Sequence, residues 1–145
     1  MSNRILFVDD EANPNPQEFV PGSYLTYYET MLTNFGFTVD VAKNADEALE
    51  LIDKHKSNPF GCLVVDLHMP IGRQVADGAE YGGVWLSKKL QQEYPKLAVV
   101  ILTNVTDPEV IDQLEPLEVV KVILFKHVCL PSTLLKVVQK VIRGD

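Results

Sequence analysis

The chain has 145 residues, 46% of them hydrophobic, which is enough for one domain with a sizeable core and too apolar for a disordered segment. A formal charge of −7 and a pI near 4.9 speak against a nucleic-acid partner, because an acidic surface repels the phosphate backbone. No apolar run reaches the roughly 18 residues of a membrane span. With no signal-peptide pattern either, the expectation is a cytoplasmic protein without membrane contact.

The first strand reads as Arg4 to Val8 and ends on Asp9-Asp10-Glu11. Glu11 to Gly22 is rich in Pro and Asn and reads as a loop. A helix follows from Ser23, its N-cap, to Gly36 at the C′ position. Its Tyr24, Tyr27 and Tyr28, with Leu25, Met31, Leu32 and Phe35, form a core-facing stripe with some exposed tyrosine. Phe37 to Val41 is a second, shorter strand. Asn44-Ala45-Asp46-Glu47 resembles a capping box and opens a helix through about Lys56. The third strand, from Cys62, ends on Asp66, and a long stretch with Pro70, Gly72 and Gly78 comes next. A helix from Gly83 to Tyr94 is stopped by Pro95. Leu97 to Leu102 is the fourth strand, and Thr103 follows it. A short helix from Pro108 to Leu114 is capped by Asp107 and ended by Pro116. The fifth strand, Val119 to Phe125, ends on Lys126. The last helix spans Ser132 to Ile142, with Pro131 near its first turn.

Five β-α units of this kind predict an α/β fold, a parallel sheet with helices on both faces and right-handed crossovers. Short runs rich in Val and Ile read as strands buried on both faces. The two cysteines, Cys62 and Cys129, are expected as reduced thiols, Cys62 acting as a small apolar group in its strand. Cys and His show no metal-ligand spacing.

Four strands end on residues able to do chemistry, and ligands bind outside the carboxyl ends of such strands. If the first and third strands are neighbours, Asp9, Asp10 and Asp66 crowd one site. Their repulsion would raise at least one pKa unless a cation sits among them. Such oxygen ligands suit Mg²⁺. Lys126 reads as a partner of the carboxylates and as a point charge for an incoming phosphoryl group. The Thr103 hydroxyl can bond a phosphoryl oxygen.

These motifs, Asp9-Asp10-Glu11, Asp66-Leu67-His68-Met69-Pro70, Thr103 and Lys126, resemble the receiver domain of two-component response regulators, and the resemblance covers nearly the whole chain. It implies a flavodoxin-like, doubly wound sheet of order 2-1-3-4-5 and a single receiver domain over residues 1–145 with no effector domain. By the resemblance Asp66 is the phosphoacceptor. Asp9, Asp10, Asp66 and the backbone carbonyl of His68 hold Mg²⁺. Lys126 contacts the phosphoryl group, and Thr103 relays the change to the fourth helix, fifth strand and fifth helix. The His68 side chain reads as a surface group. The implied protein is not an enzyme in the ordinary sense but assists its own phosphorylation and dephosphorylation. Its partners are a histidine kinase or phosphotransfer protein and a downstream protein target, and it is a monomer or weak homodimer.

The chain departs from the family in places. Lys126 is followed by His127 where Pro is usual, so a trans bond or a differently routed loop is expected. Ile123 stands where the family has Tyr or Phe, so no aromatic ring can swing there, and Asn104 stands where a small residue is usual. Two loops, Glu11–Gly22 and Ile71–Gly82, are long and are expected to pack on one another at the rim of the acid pocket. Two other readings stay open. One is an adaptor of the same fold that works without phosphate. The other is a Mg²⁺-dependent phosphohydrolase using a strand-one aspartate, whose usual second acid two residues on would here be Glu11.

Overall fold

Five short apolar runs form strands β1 (Arg4–Val8), β2 (Thr38–Ala42), β3 (Cys62–Val65), β4 (Val99–Thr103) and β5 (Val120–Phe125). All pair in parallel, in the order β2-β1-β3-β4-β5. The structure is a computed structural model that describes residues 2–11, 24–72 and 81–144. Parallel strands cannot be joined by tight turns, so helices carry the crossovers. These are α1 (Tyr24–Asn34), α2 (Ala45–Lys54), α3 (Gly82–Glu93) and α4 (Pro108–Ile111), while α5 (Pro131–Arg143) follows the last strand. Among the described residues no helix is long and apolar enough to cross a membrane.

Side chains alternate along each strand, so the sheet divides the core into two layers. Ile5, Phe7, Cys62, Val64, Val100 and Leu102 pack with Leu25, Tyr28, Leu32, Leu134 and Val138 from α1 and α5. Leu6, Val8, Leu63, Val65, Val99 and Ile101 pack with Ala48, Ile52, Leu86, Leu90 and Val110 from α2, α3 and α4. Burial pushes the Cys62 thiol up to about 12, so it stays protonated and behaves as an apolar group. Both cysteines are free and buried.

The expected burial on both faces holds for β1, β3 and β4, apart from half-buried Arg4, but not for β5. That strand lies at the sheet edge, its residues are half-buried, and Lys121 is exposed. The fourth helix is shorter than its pattern suggested. After Ile111 the amides of Gln113 and Leu114 reach back three residues instead of four, and Pro116 offers no N–H to continue. Asn44 caps α2 as expected, accepting from Glu47 N at 2.9 Å while its amide donates to Glu47 Oε2 at 2.7 Å. Ser23 as a helix cap and the packing of the two long loops on each other lie outside the described residues.

The segment after β3 is held from two sides. The first amides of a helix have no partner within it. Here Ala45 and Asp46 at the start of α2 donate to Pro70 O (3.2 Å) and Ile71 O (2.7 Å). Gly82 and Gly83 at the start of α3 donate to Met69 O (2.9 Å) and Leu67 O (3.1 Å). That approach requires glycine. A Cβ on Gly83 would strike the Asp66 carbonyl oxygen and lie 2.6 Å from Leu67 Cα. Gly83→Ala is therefore expected to lower stability by about 1–3 kcal/mol, the usual cost of overpacking. Urea denaturation checks this; an unchanged midpoint would contradict it.

Candidate functional site

The register of the sheet assembles the site. Val8 of β1 lies opposite Val65 of β3, so the next residues, Asp9 and Asp66, leave the sheet side by side. Asp66 N–H still donates to Val8 O at 2.9 Å. β4, on the far side of β3, ends on Thr103, which pairs with Phe125 of β5 and so brings Lys126 to the same edge. All four residues are buried at the carboxyl end of the sheet, where open parallel sheets bind ligands.

Their polar atoms are mutually satisfied. Lys126 Nζ donates to Asp9 Oδ2 at 2.8 Å and to Asp66 Oδ2 at 3.3 Å. The other oxygen of Asp66, Oδ1, accepts from the Thr103 hydroxyl at 2.7 Å. That hydroxyl in turn accepts from Val105 N–H at 3.2 Å. The second oxygen of Asp9 accepts from Glu11 N–H at 2.9 Å. The lysine stem is buried with its head, and the side chain is only 4% exposed, so this ion pair is little screened by solvent.

Charge and burial oppose each other here. Burial, with the Asp66 charge, raises the Asp9 carboxyl above its ordinary value, and Lys126 only partly offsets this. Burial alone would lower the Lys126 ammonium, but Asp9 and Asp66 outweigh it and the net shift is upward. Asp10, next along, is exposed, and Lys43 Nζ donates to its carbonyl at 3.3 Å.

Carboxylate oxygens of Asp9, Asp10 and Asp66 all lie within 4.8 Å of one another. Among the described residues these three carboxylates meet one buried ammonium, that of Lys126, with Lys43 Nζ on the Asp10 carbonyl. Such hard oxygen donors suit a small divalent cation that keeps part of its water shell, as Mg²⁺ does. The structure thus brings together Asp9, Asp10, Asp66, Thr103 and Lys126. His68 lies in the turn after β3, its exposed imidazole edge-on to the Tyr81 ring with centroids 6.2 Å apart.

Two contributors escaped the sequence reading. Gly83 gave a signal, a glycine pair opening a helix, that can be read as close backbone packing. Tyr28 gave none beyond its place in an apolar stripe. Its hydroxyl nevertheless donates to the backbone carbonyls of Cys129 at 2.5 Å and Lys126 at 3.3 Å.

The sequence model of the response regulator receiver domain matches residues 23–139, a span that holds Asp66, Thr103 and Lys126 and begins after Asp9 and Asp10. Solved structures resemble the whole chain. A CheY-like receiver domain protein from Methanospirillum hungatei is 21% identical, with a TM-score of 0.73 over 99% of this chain and 96% of that one. A receiver domain protein from Clostridium thermocellum is 21% identical, with a TM-score of 0.71 over 99% and 96%. The chemotaxis protein CheY4 of Vibrio cholerae is 24% identical, with a TM-score of 0.66 over 97% and 99%. At such identities these likenesses show the fold. No curated protein matches the chain.

The upward shift of Lys126 fixes a sign. Its folded value lies above the unfolded one, so its contribution to stability is fully present below about pH 10.5 and is lost as pH rises through the folded value. Lys126→Met should therefore be less stable than the parent at neutral pH, and the gap should narrow above pH 10.5. Unfolding free energies of both proteins across that range check this; a gap that stays constant would contradict it.

Proposed function

The chain belongs to the response regulator receiver domain family, and from that premise we propose that it is a phosphoacceptor switch in which Asp66 receives the phosphoryl group. One observation carries the reading. Both oxygens of Asp66 are already engaged, by the Thr103 hydroxyl and the Lys126 ammonium, in a buried pocket where strand-end carboxylates cluster.

In the proposed step an Asp66 carboxylate oxygen attacks the phosphorus of a phosphohistidine. A P–O bond forms, the P–N bond breaks, and its electron pair leaves on the imidazole nitrogen. With acetyl phosphate the bond that breaks is P–O, and acetate leaves. Lys126 is placed to offset charge on the transferring oxygens. Asp9, Asp10, Asp66 and the His68 carbonyl would hold Mg²⁺, which when bound supplies further positive charge to those oxygens. Once Asp66 carries the phosphoryl group as a mixed anhydride, the Thr103 hydroxyl can donate to a phosphoryl oxygen instead.

Transmission then follows from the hydrogen bonds. The Thr103 hydroxyl is tied to the amide of Val105, so a shift of the hydroxyl pulls on the loop between β4 and α4. Ile123 has no ring to swing, so this backbone link and the turn after Lys126 carry the change. The phosphoryl source is a histidine kinase or phosphotransfer protein and the output is a protein target, in a cytoplasmic setting. A strand-one nucleophile has the weaker support, because the second acid that such phosphohydrolases need two residues on is here Glu11, an imperfect match to their motif.

Intact mass after treatment with acetyl phosphate and Mg²⁺ is expected to show one labile phosphoryl group, absent in Asp66→Asn. Phosphate retained in Asp66→Asn would refute the assignment, and none in the parent would favour an adaptor. Mg²⁺ at one hundred times its dissociation constant should raise the unfolding free energy by about 2.7 kcal/mol. Asp10→Ala should remove most of that gain, as titration during thermal unfolding would show.

A further inference from the structure

We propose that Tyr28 is a positioning residue that holds the root of Lys126 and so keeps its ammonium on Asp9 and Asp66. The proposal rests on the phosphoacceptor reading and extends it to a residue of α1 outside the pocket.

Lys126 does not sit in a regular element. It opens a three-residue 3₁₀ turn, Lys126–Val128, and the turn closes through a long bond, Cys129 N–H to Lys126 O at 3.4 Å. Leu130, the N-cap of α5, makes no side-chain cap. Val128 and Leu130 are 72% and 66% exposed, so neither packs the loop down. His127 occupies the position after the lysine, so the fixed φ of a proline is missing there as well.

The Tyr28 hydroxyl enters this loop from below. The side chain is 1% exposed, and its ring is fixed in the layer that holds Leu25 and Leu32. The hydroxyl oxygen lies within hydrogen-bond reach of the carbonyls of Cys129, at 2.5 Å, and Lys126, at 3.3 Å, one at each end of the turn. The Lys126 carbonyl is bonded to the same Cα that bears the side chain. Fixing it fixes the start of a long, flexible stem whose tip must reach Asp9 at 2.8 Å and Asp66 at 3.3 Å. A helix on one face of the sheet thereby sets the place of a charge at its edge.

The experiment uses Tyr28→Phe, which keeps the ring and removes the hydroxyl. Three results are expected. Phosphorylation by acetyl phosphate slows by about ten- to a hundredfold, the usual effect of displacing a reacting group by an ångström or less. Leu32→Ala, which loosens the same helix without touching the turn, keeps the parent rate at a temperature where it is folded. In the Lys126→Met background, Tyr28→Phe slows the reaction no further, since it acts through the missing ammonium. Amide exchange at Cys129 should also quicken at least about tenfold in Tyr28→Phe, as local opening becomes easier. An unchanged rate, a full additive loss in the Lys126→Met background, or unchanged exchange at Cys129 would each overturn the proposal. If the parent takes up no phosphate, the phosphoacceptor reading fails, and the exchange result alone then decides the role of Tyr28.

Discussion

The ammonium of Lys126, lying between Asp9 and Asp66, is the interaction on which the rest of the site depends. Taking charges out of water is expensive, and a buried ion pair is often no more stabilising than apolar groups of the same shape. Here the imbalance is larger, because carboxylates outnumber the ammonium. The Asp9 carboxyl is raised chiefly by its burial, which Lys126 only partly offsets, with the neighbouring Asp66 charge adding to the rise. Remove the lysine and two buried carboxylates would be left without their shared ammonium. A fold selected for stability alone would have filled this place with apolar side chains.

The pocket is tolerable because its surroundings are stiff. Helices α2 and α3 direct their otherwise unpartnered first amides at the carbonyls of the segment after β3. Gly83 lets the start of α3 come against the Asp66 carbonyl. On the other side Tyr28 reaches the turn after β5. The backbone at Asp66 and the turn that Lys126 opens are thus contacted by elements on opposite faces of the sheet. Between them the Thr103 hydroxyl, bonded to Asp66 and to Val105 N–H, links Asp66 to the loop after β4.

Much of this could be read from the residues. Periodicity and strand-end chemistry gave the sheet, its order through the family resemblance, and the convergence of Asp9, Asp10, Asp66, Thr103 and Lys126, because parallel strands point their carboxyl ends one way. Asn44 could be read because a cap is local. Other features could not. The partial exposure of β5 depends on its being an edge, which is a property of the assembled sheet. The early end of α4 depends on three-residue bonds after Ile111, which compete closely with the helical ones. Tyr28 was hidden because a tyrosine in an apolar stripe looks the same whether or not its hydroxyl meets a backbone carbonyl some hundred positions away.

The pairing of Val8 with Val65 has a consequence for how the chain finds its fold. A strand that slides by one residue turns every side chain to the opposite face. Were β1 to slip so that Asp9 took the place of Val8, a carboxylate would enter the apolar layer of Leu63, Val65 and Ile101. An unpaired charge in such surroundings costs several kcal/mol. Asp66 imposes the same penalty on a slip of β3. A slip of β1 or β3 therefore carries a charge penalty set by Asp9 or Asp66, and Asp66, the one residue proposed to receive phosphate, also opposes misalignment of the strand that carries it.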